Sequence, residues 1–201
     1  MIKVSTEELI VTHFQESSQV KGLASKMCVN DIVAMVDMVF SSFARGGKLM
    51  LCGNGGSAGD CQHIAAEFTS VLRQDFPRPG LPALALTTDT SFLTARGNDY
   101  GFDGIFARLV ETLGKADDVL LGISTSGNSE NVCAAMRAAR ERGMGTIALT
   151  GQDGGRLAEI SDIKIRVPSR KVQYIQEAHI AIGHILCQAV EEKIFPRTTN
   201  L

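Results

Sequence analysis

The 201-residue chain lacks an excess charge of either sign: 20 Lys and Arg stand against 22 Asp and Glu, a net charge of −2. That balance argues against a broad phosphate-backbone footprint, so direct nucleic-acid binding is not expected, and at most a small local basic patch is compatible with it. No uninterrupted apolar run approaches the roughly 18–20 residues that a membrane span needs. The amino end, Met1-Ile2-Lys3-Val4-Ser5-Thr6-Glu7-Glu8, carries acids where an export signal has its apolar stretch. The expectation is a cytoplasmic protein with no membrane partner. A C-x-x-C pair is missing as well. Cys28, Cys52, Cys61, Cys133 and Cys187 are odd in number and scattered, which indicates neither a disulfide framework nor a thiolate zinc finger. They read as reduced thiols packed as small apolar groups. Internal repeats and low-complexity linkers are absent too, and Phe76-Pro77-Arg78-Pro79-Gly80 is simply a turn-rich loop.

Apolar residues make up 44% of the chain and charged residues 21%, which suits a globular domain and is too apolar for a disordered chain. The first 45 residues carry helical spacing: Leu9, Ile10, His13 and Phe14, then Ile32, Val33, Met35, Val36, Val39, Phe40 and Phe43. Gly46-Gly47 stops this segment. Its second stretch is apolar nearly all round, so it is either deeply buried or packed against a partner subunit. Beyond residue 47, short apolar runs alternate with amphipathic stretches. The runs Lys48–Cys52, Pro82–Leu86, Asp118–Ile123, Gly145–Leu149 and Asp162–Val167 read as strands buried on both faces of a parallel sheet. Segments near 57–73, 102–113, 129–143 and 154–160 read as helices between them, and 173–194 as a final one. The result is a single α/β domain over 1–201, doubly wound on five parallel strands. Residues 1–46 form an added helical segment, and 47–201 form the core and final helix.

In open α/β sheets, ligands bind at the carboxyl ends of the strands. Three strand-to-helix loops stand out. Gly53-Asn54-Gly55-Gly56-Ser57-Ala58-Gly59-Asp60 lets backbone approach a ligand and leads into a helix start, although it is neither a G-x-G-x-x-G fingerprint nor a P-loop. It is a binding loop or an ordinary turn. Ser124-Thr125-Ser126-Gly127-Asn128-Ser129 offers several hydroxyls and backbone N–H groups, which suits a phosphate bound without Lys or Arg. The alternative is a hydroxyl-rich turn with Ser129 or Asn128 as helix cap. Gly97-Asn98-Asp99-Tyr100-Gly101 reads as a structural turn.

Three of the four histidines accompany these loops. His63 and Glu67 are four apart and share a helix face, as a metal or base pair or as a plain surface pair; burial on this partly apolar stretch would raise the Glu67 pKa. His179 and His184 are five apart and point differently, and spacing alone makes His184 a core or interface residue. Gln176 and His184 lie eight apart, roughly 12 Å along a regular helix. His13 reads as packing within the first helix.

The segments Gly53–Ser57 and Ser124–Ser129 resemble those of the sugar isomerase (SIS) domain. The likeness to its phosphoheptose isomerase branch runs on through Gly97–Phe102, Leu149-Thr150-Gly151, Asp153-Gly154-Gly155 and Ile175-Gln176-Glu177 with His179. It implies a flavodoxin-like fold and conversion of a phosphorylated seven-carbon sugar, sedoheptulose 7-phosphate, to its aldose through an enediol. The resemblance also implies substrate contacts from Asn54, Gly55, Gly56, Ser57, Glu67, Asn98, Asp99, Ser124, Thr125, Ser126, Ser129 and Gln176. It implies Glu67 and His184 as the acid/base pair, and one zinc per subunit held by His63, Glu67, Gln176 and His184. A homotetramer with sites between subunits is implied as well. The chain departs from the family at Val71, where an Arg is usual, and at Lys171-Val172 and Tyr174, where Asp-Thr and Arg are common. A sister group, the DiaA-type regulators that bind the bacterial replication initiator, shares the ending Ile194-Phe195-Pro196-Arg197. Those regulators lack the Glu and the His at positions 67 and 184, so the isomerase reading is favoured over a regulator or a sensor of a related phosphosugar.

Overall fold

The computed structural model describes residues 4–196; Arg197 of the carboxyl ending lies outside them. Five strands form one all-parallel sheet in the order β2-β1-β3-β4-β5. They are β1 (Leu49–Gly53), β2 (Ala83–Ala85), β3 (Val119–Ser124), β4 (Gly145–Thr150) and β5 (Ile163–Arg166), each within a residue or two of its apolar run. Alternate residues of the strands feed two separate cores. Leu49, Leu51, Leu121, Ile147 and Ile165 face one side, while Met50, Cys52, Leu120 and Ala148 face the other. Burial on both faces explains why the strands read as continuous apolar runs rather than alternating ones.

The first side is covered by α1 (Thr6–Met27), α2 (Val29–Ala44), α3 (Gly56–Thr69) and α8 (Val172–Ile194), and the second by α5 (Ile105–Leu113), α6 (Glu130–Glu141) and α7 (Gly155–Glu159). Ser5 opens α1 with a reciprocal capping box, its hydroxyl accepting from Glu8 N–H while the Glu8 carboxylate accepts from Ser5 N–H. Cys28 ends α1 and starts α2, whose axes differ by 71°. Only one side of α2 is buried, through Met35, Val36, Val39 and Ser42. Along α1, Leu9, Ile10, Phe14 and Met27 stay exposed. Among the described residues no single helix is long and apolar enough to cross a membrane.

One element was not expected. Residues 97–100, read as a turn, are the last turn of a further helix, α4 (Thr90–Tyr100), started by the Asp89 side chain accepting from Phe92 N–H and ended at Gly101, whose φ is +84°. Its sequence is too polar to show helical periodicity: none of its residues is buried. The helix begun near residue 57 stops at Thr69 rather than 73, because the chain turns back there and Gly80 comes so close to Thr69 that a Cβ would sit 2.6 Å from its carbonyl oxygen.

All five cysteines are buried and free, and burial pushes their thiols up. His179 on α8 is also wholly buried; its Nε2 donates to the Thr150 carbonyl at 3.1 Å. Burial lowers its imidazole from 6.5 to about 4. As pH falls through that interval the unfolded chain takes up a proton that the folded chain refuses. Stability therefore declines across this window, by at most about 3 kcal/mol. His179→Gln keeps a donor and removes the titration, so urea unfolding between pH 6.5 and 4 is expected to show a shallower pH slope in the variant. An unchanged slope would exclude His179 as the group responsible.

Candidate active site

The order β2-β1-β3 reverses the direction of winding between β1 and β3, the position where doubly wound sheets leave a crevice. The two loops singled out by composition leave these two strands side by side. Gly55, at φ +56°, starts α3 with no side-chain cap. The turn at Ser124–Gly127 is closed by Gly127 N–H donating to the Ser124 carbonyl at 3.0 Å. Gly127 sits at φ +66°, and a Cβ there would lie 1.9 Å from the Gly154 carbonyl oxygen. The Asp153-Gly154-Gly155 segment thus braces the hydroxyl loop from behind, and neither glycine has room for a side chain.

Ser129 takes the N-cap position of α6 but makes no capping bond. Its hydroxyl faces Ser124 Oγ at 3.0 Å, and Ser126 Oγ lies 3.5 Å from Ser124 on the other side while accepting from Asn128 N–H. The hydroxyls of Ser124, Ser126 and Ser129 therefore converge at a helix N-terminus, an arrangement that favours an anion over a plain cap. A cavity of about 200 Å³ opens beside Thr125 and Ser126, floored by Ile175 and rimmed by the Asp153–Arg170 ion pair. A larger one, about 460 Å³ between α1 and β5, contains none of the candidate residues.

Asn54 and Asn131 join the two loops through a reciprocal amide pair at 2.9 and 2.8 Å. Asn131 is buried and was not picked out from the sequence; its partner lies 77 residues away, and a lone Asn in a helix start carries no signal beyond capping. Asn98 and Asp99 sit exposed on the last turn of α4, with Asn98 Nδ2 donating to Asp99 Oδ1 at 2.9 Å.

The titratable candidates lie where α3 runs alongside α8. His63 Nε2 and His184 Nε2 are 2.9 Å apart, one donating and the other accepting, and Glu67 Oε1 is 3.4 Å from His63 Nε2. Glu67 retains 19% side-chain exposure and His63 retains 47%, so the cluster opens to solvent. His184 is therefore an exposed member of this cluster rather than a core residue. Asp60, one turn before His63, has a buried Oδ2 with no hydrogen-bond partner; burial raises its pKa, opposed by the nearby His63 and His184. Gln176 lies two turns away, where its Nε2 would be 2.6 Å from a Cβ on Gly56. One chain thus gathers three of the four implied zinc ligands and leaves Gln176 at the glycine loop. Two imidazoles and a carboxylate suit zinc chemically, although among the described residues no three His, Cys, Asp or Glu side chains surround one point as they stand.

His13 meets Phe14 edge-on within its own helix and also reaches beyond it. Its Nε2 meets Glu177 Oε1 at 2.7 Å, and Ser17 donates to the other carboxylate oxygen; the Ser17 bond first, then that of His13, lowers the Glu177 pKa from its ordinary value. The departures at Lys171 and Tyr174 belong to the same contact with α1. Lys171 pairs with Glu16 at 2.6 Å, and Tyr174 stacks edge-on against His13.

The SIS domain family matches residues 14–151. A phosphoheptose isomerase of Roseiflexus sp. (strain RS-1) is 51% identical over 186 residues, covering 92% of this chain and 93% of the relative. The chain belongs to the phosphoheptose isomerase family. A further member, from Chlorobaculum tepidum, is 48% identical over 187 residues, 92% of this chain and 90% of its own. The solved phosphoheptose isomerase GmhA of Neisseria gonorrhoeae shares 46% identity and superposes with a TM-score of 0.88, covering 94% of this chain and all of that one. The Francisella tularensis phosphoheptose isomerase shares 39% with a TM-score of 0.90 over the same coverage. In this member of the family, Asn131→Ala is expected to strand the Asn54 amide. The loss should be about 1–3 kcal/mol of stability, together with weaker binding of inorganic phosphate followed by titration of Ser124–Ser129 amide resonances. Unchanged phosphate affinity would show that the amide pair does not shape the anion loop.

Proposed function

We propose that the protein interconverts sedoheptulose 7-phosphate and D-glycero-D-manno-heptose 7-phosphate through an enediol, the first step toward heptose nucleotides. The observation that carries this reading is the juxtaposition of Glu67 with His63 and His184, on a fold whose relatives are phosphoheptose isomerases at about half identity. The reaction balances internally: a proton leaves C1, a proton arrives at C2, and a hydroxyl proton moves from O1 to O2. No external oxidant is needed. Glu67 is the base for the C1 proton, and the His184 imidazole moves protons at the oxygens or C2. The hydroxyl loop and the start of α6 hold the phosphate, with the glycine loop and Gln176 beside it.

Zinc, one per subunit, is part of this proposal: His63, Glu67 and His184 would hold it, with Gln176 as the further ligand the family implies, and it would polarise the carbonyl and stabilise the enediolate. A homotetramer is part of it too. Gly56 and Glu67 are eleven residues apart on α3, about 16 Å along its axis, a long reach for one sugar phosphate within a single chain. The exposed Leu9, Ile10, Phe14 and Met27 of α1 supply apolar surface for a second copy. Glu16–Lys171 and His13–Glu177 tie that helix to the one bearing Gln176. These observations support sites between subunits.

The deciding experiment follows sedoheptulose 7-phosphate by NMR in deuterated water with metal-free and zinc-loaded protein. Aldose formation with C1 exchange is expected, falling about 10²–10⁴-fold in Glu67→Gln. Full turnover in the variant, or no exchange by the wild type in either state, would overturn the reading. For the assembly, light scattering should give four chains for the wild type and fewer for Phe14→Glu; a wild-type monomer would refute it.

A further inference from the structure

The side chains of Arg78 and Glu191 are both only 1% exposed and form an ion pair, Arg78 Nε donating to Glu191 Oε2 at 2.5 Å. The rest of the guanidinium is spent on backbone. Nη2 donates to the Glu67 carbonyl at 2.9 Å, and Nη1 lies 2.9 Å from the Phe68 carbonyl, 3.0 Å from Pro79 and 3.1 Å from Ser70. The last carbonyls of a helix have no partners within it and carry its negative end. A buried planar cation with donors along two edges answers both conditions, which a point-charge Lys does not. Glu191 lies on α8, on the same stripe as Gly183 and Cys187, the residues that meet Ile64 of α3.

The pair therefore joins the end of the helix carrying His63 and Glu67 to the helix carrying Gln176 and His184. If cohesion were its only purpose, an apolar pair would serve as well, because burying two charges costs most of what their attraction returns. We propose that Arg78, anchored by Glu191, is a positioning residue: it fixes the register of α3 against α8 and so sets the Glu67 side chain relative to His63 and His184. Its kinetic consequence rests on the isomerase reading above; its geometric consequence does not. The phosphate loop belongs to β3 and α6, outside this clamp, so substrate affinity and chemistry should separate.

The test uses the full-length protein and two variants, Arg78→Lys and the charge-free double variant Arg78→Met with Glu191→Met. Each is first checked for folding by thermal unfolding. Histidine ring resonances of His63 and His184 are then recorded in metal-free protein, zinc affinity is measured by competition with a chelating dye, and kcat and KM are measured with sedoheptulose 7-phosphate. A folded variant is expected to show displaced His63 and His184 resonances and zinc affinity at least tenfold weaker. Its kcat should fall about 10–100-fold, the scale of an ångström misplacement, with KM within about twofold. A folded variant with wild-type imidazole resonances and zinc affinity would overturn the proposal, and so would failure of both variants to fold, which would make the pair a stability element only. Absence of turnover by the wild type would instead refute the isomerase reading, leaving the resonance comparison to decide the positioning role alone.

Discussion

Gly183 leaves a gap on α8, and Ile64 of α3 fills it; a Cβ on Gly183 would meet Ile64 side-chain carbons at 2.6 and 2.8 Å. The candidate site depends on this contact. His184 follows Gly183 and His63 precedes Ile64, so bringing the two backbones together at this point brings the two imidazoles to 2.9 Å. The same alignment continues in both directions. Gln176 meets Gly56 toward the start of α3, Cys187 meets the Ile64 carbonyl, and Glu191 reaches Arg78 at the far end. Two helices running in the same direction with small residues at the contact give a fixed register, and the register decides which polar side chains face each other.

The sheet supplies a second, separate constraint. With β1 and β3 adjacent at its centre, the glycine loop and the hydroxyl loop emerge together, tied by Asn54 and Asn131. In the proposed reaction anion binding would thus rest on backbone N–H groups and hydroxyls anchored to strands, and proton chemistry on side chains anchored to α3 and α8. A phosphate can be held by groups that need no titration, and the titratable groups stay free for the reacting carbons.

The sheet is legible in the sequence because each strand is buried on both faces and reads as an apolar run with a clear end. The hydroxyl loop is legible as a candidate for an anion because four hydroxyl residues in six exceed what capping uses, and Ser129 leaves its cap bond unmade. The helix containing Asn98 and Asp99 is not legible: none of its side chains is buried, so burial imposes no periodicity on it. Long-range polar partners are equally hidden. His13 and Glu177 are 164 residues apart, and Arg78 and Glu191 are 113 apart. Nothing local distinguishes Arg78 from a residue in a turn-rich loop until the helix end beneath it is known. The pairing of His63 with Glu67 follows from four-residue spacing on a helix, whereas its meeting with His184 requires the α3–α8 packing and could not come from spacing.

The departures at Lys171 and Tyr174 acquire a structural meaning in the same way. At these positions, where the resemblance implies an acid and a base, the chain carries residues that hold α1: Lys171 pairs with Glu16, and Tyr174 is 5% exposed against His13. Glu177, next to Gln176, completes this contact through His13 and Ser17. The start of α8 is thereby held by α1, its middle by Gly183 against α3, and its end by Arg78. A helix fixed at three points along its length has little freedom to slide or rotate. Were Gln176 and His184 the site residues the resemblance implies, such anchoring would hold each at a fixed height against its neighbour on α3, Gly56 for the one and His63 for the other.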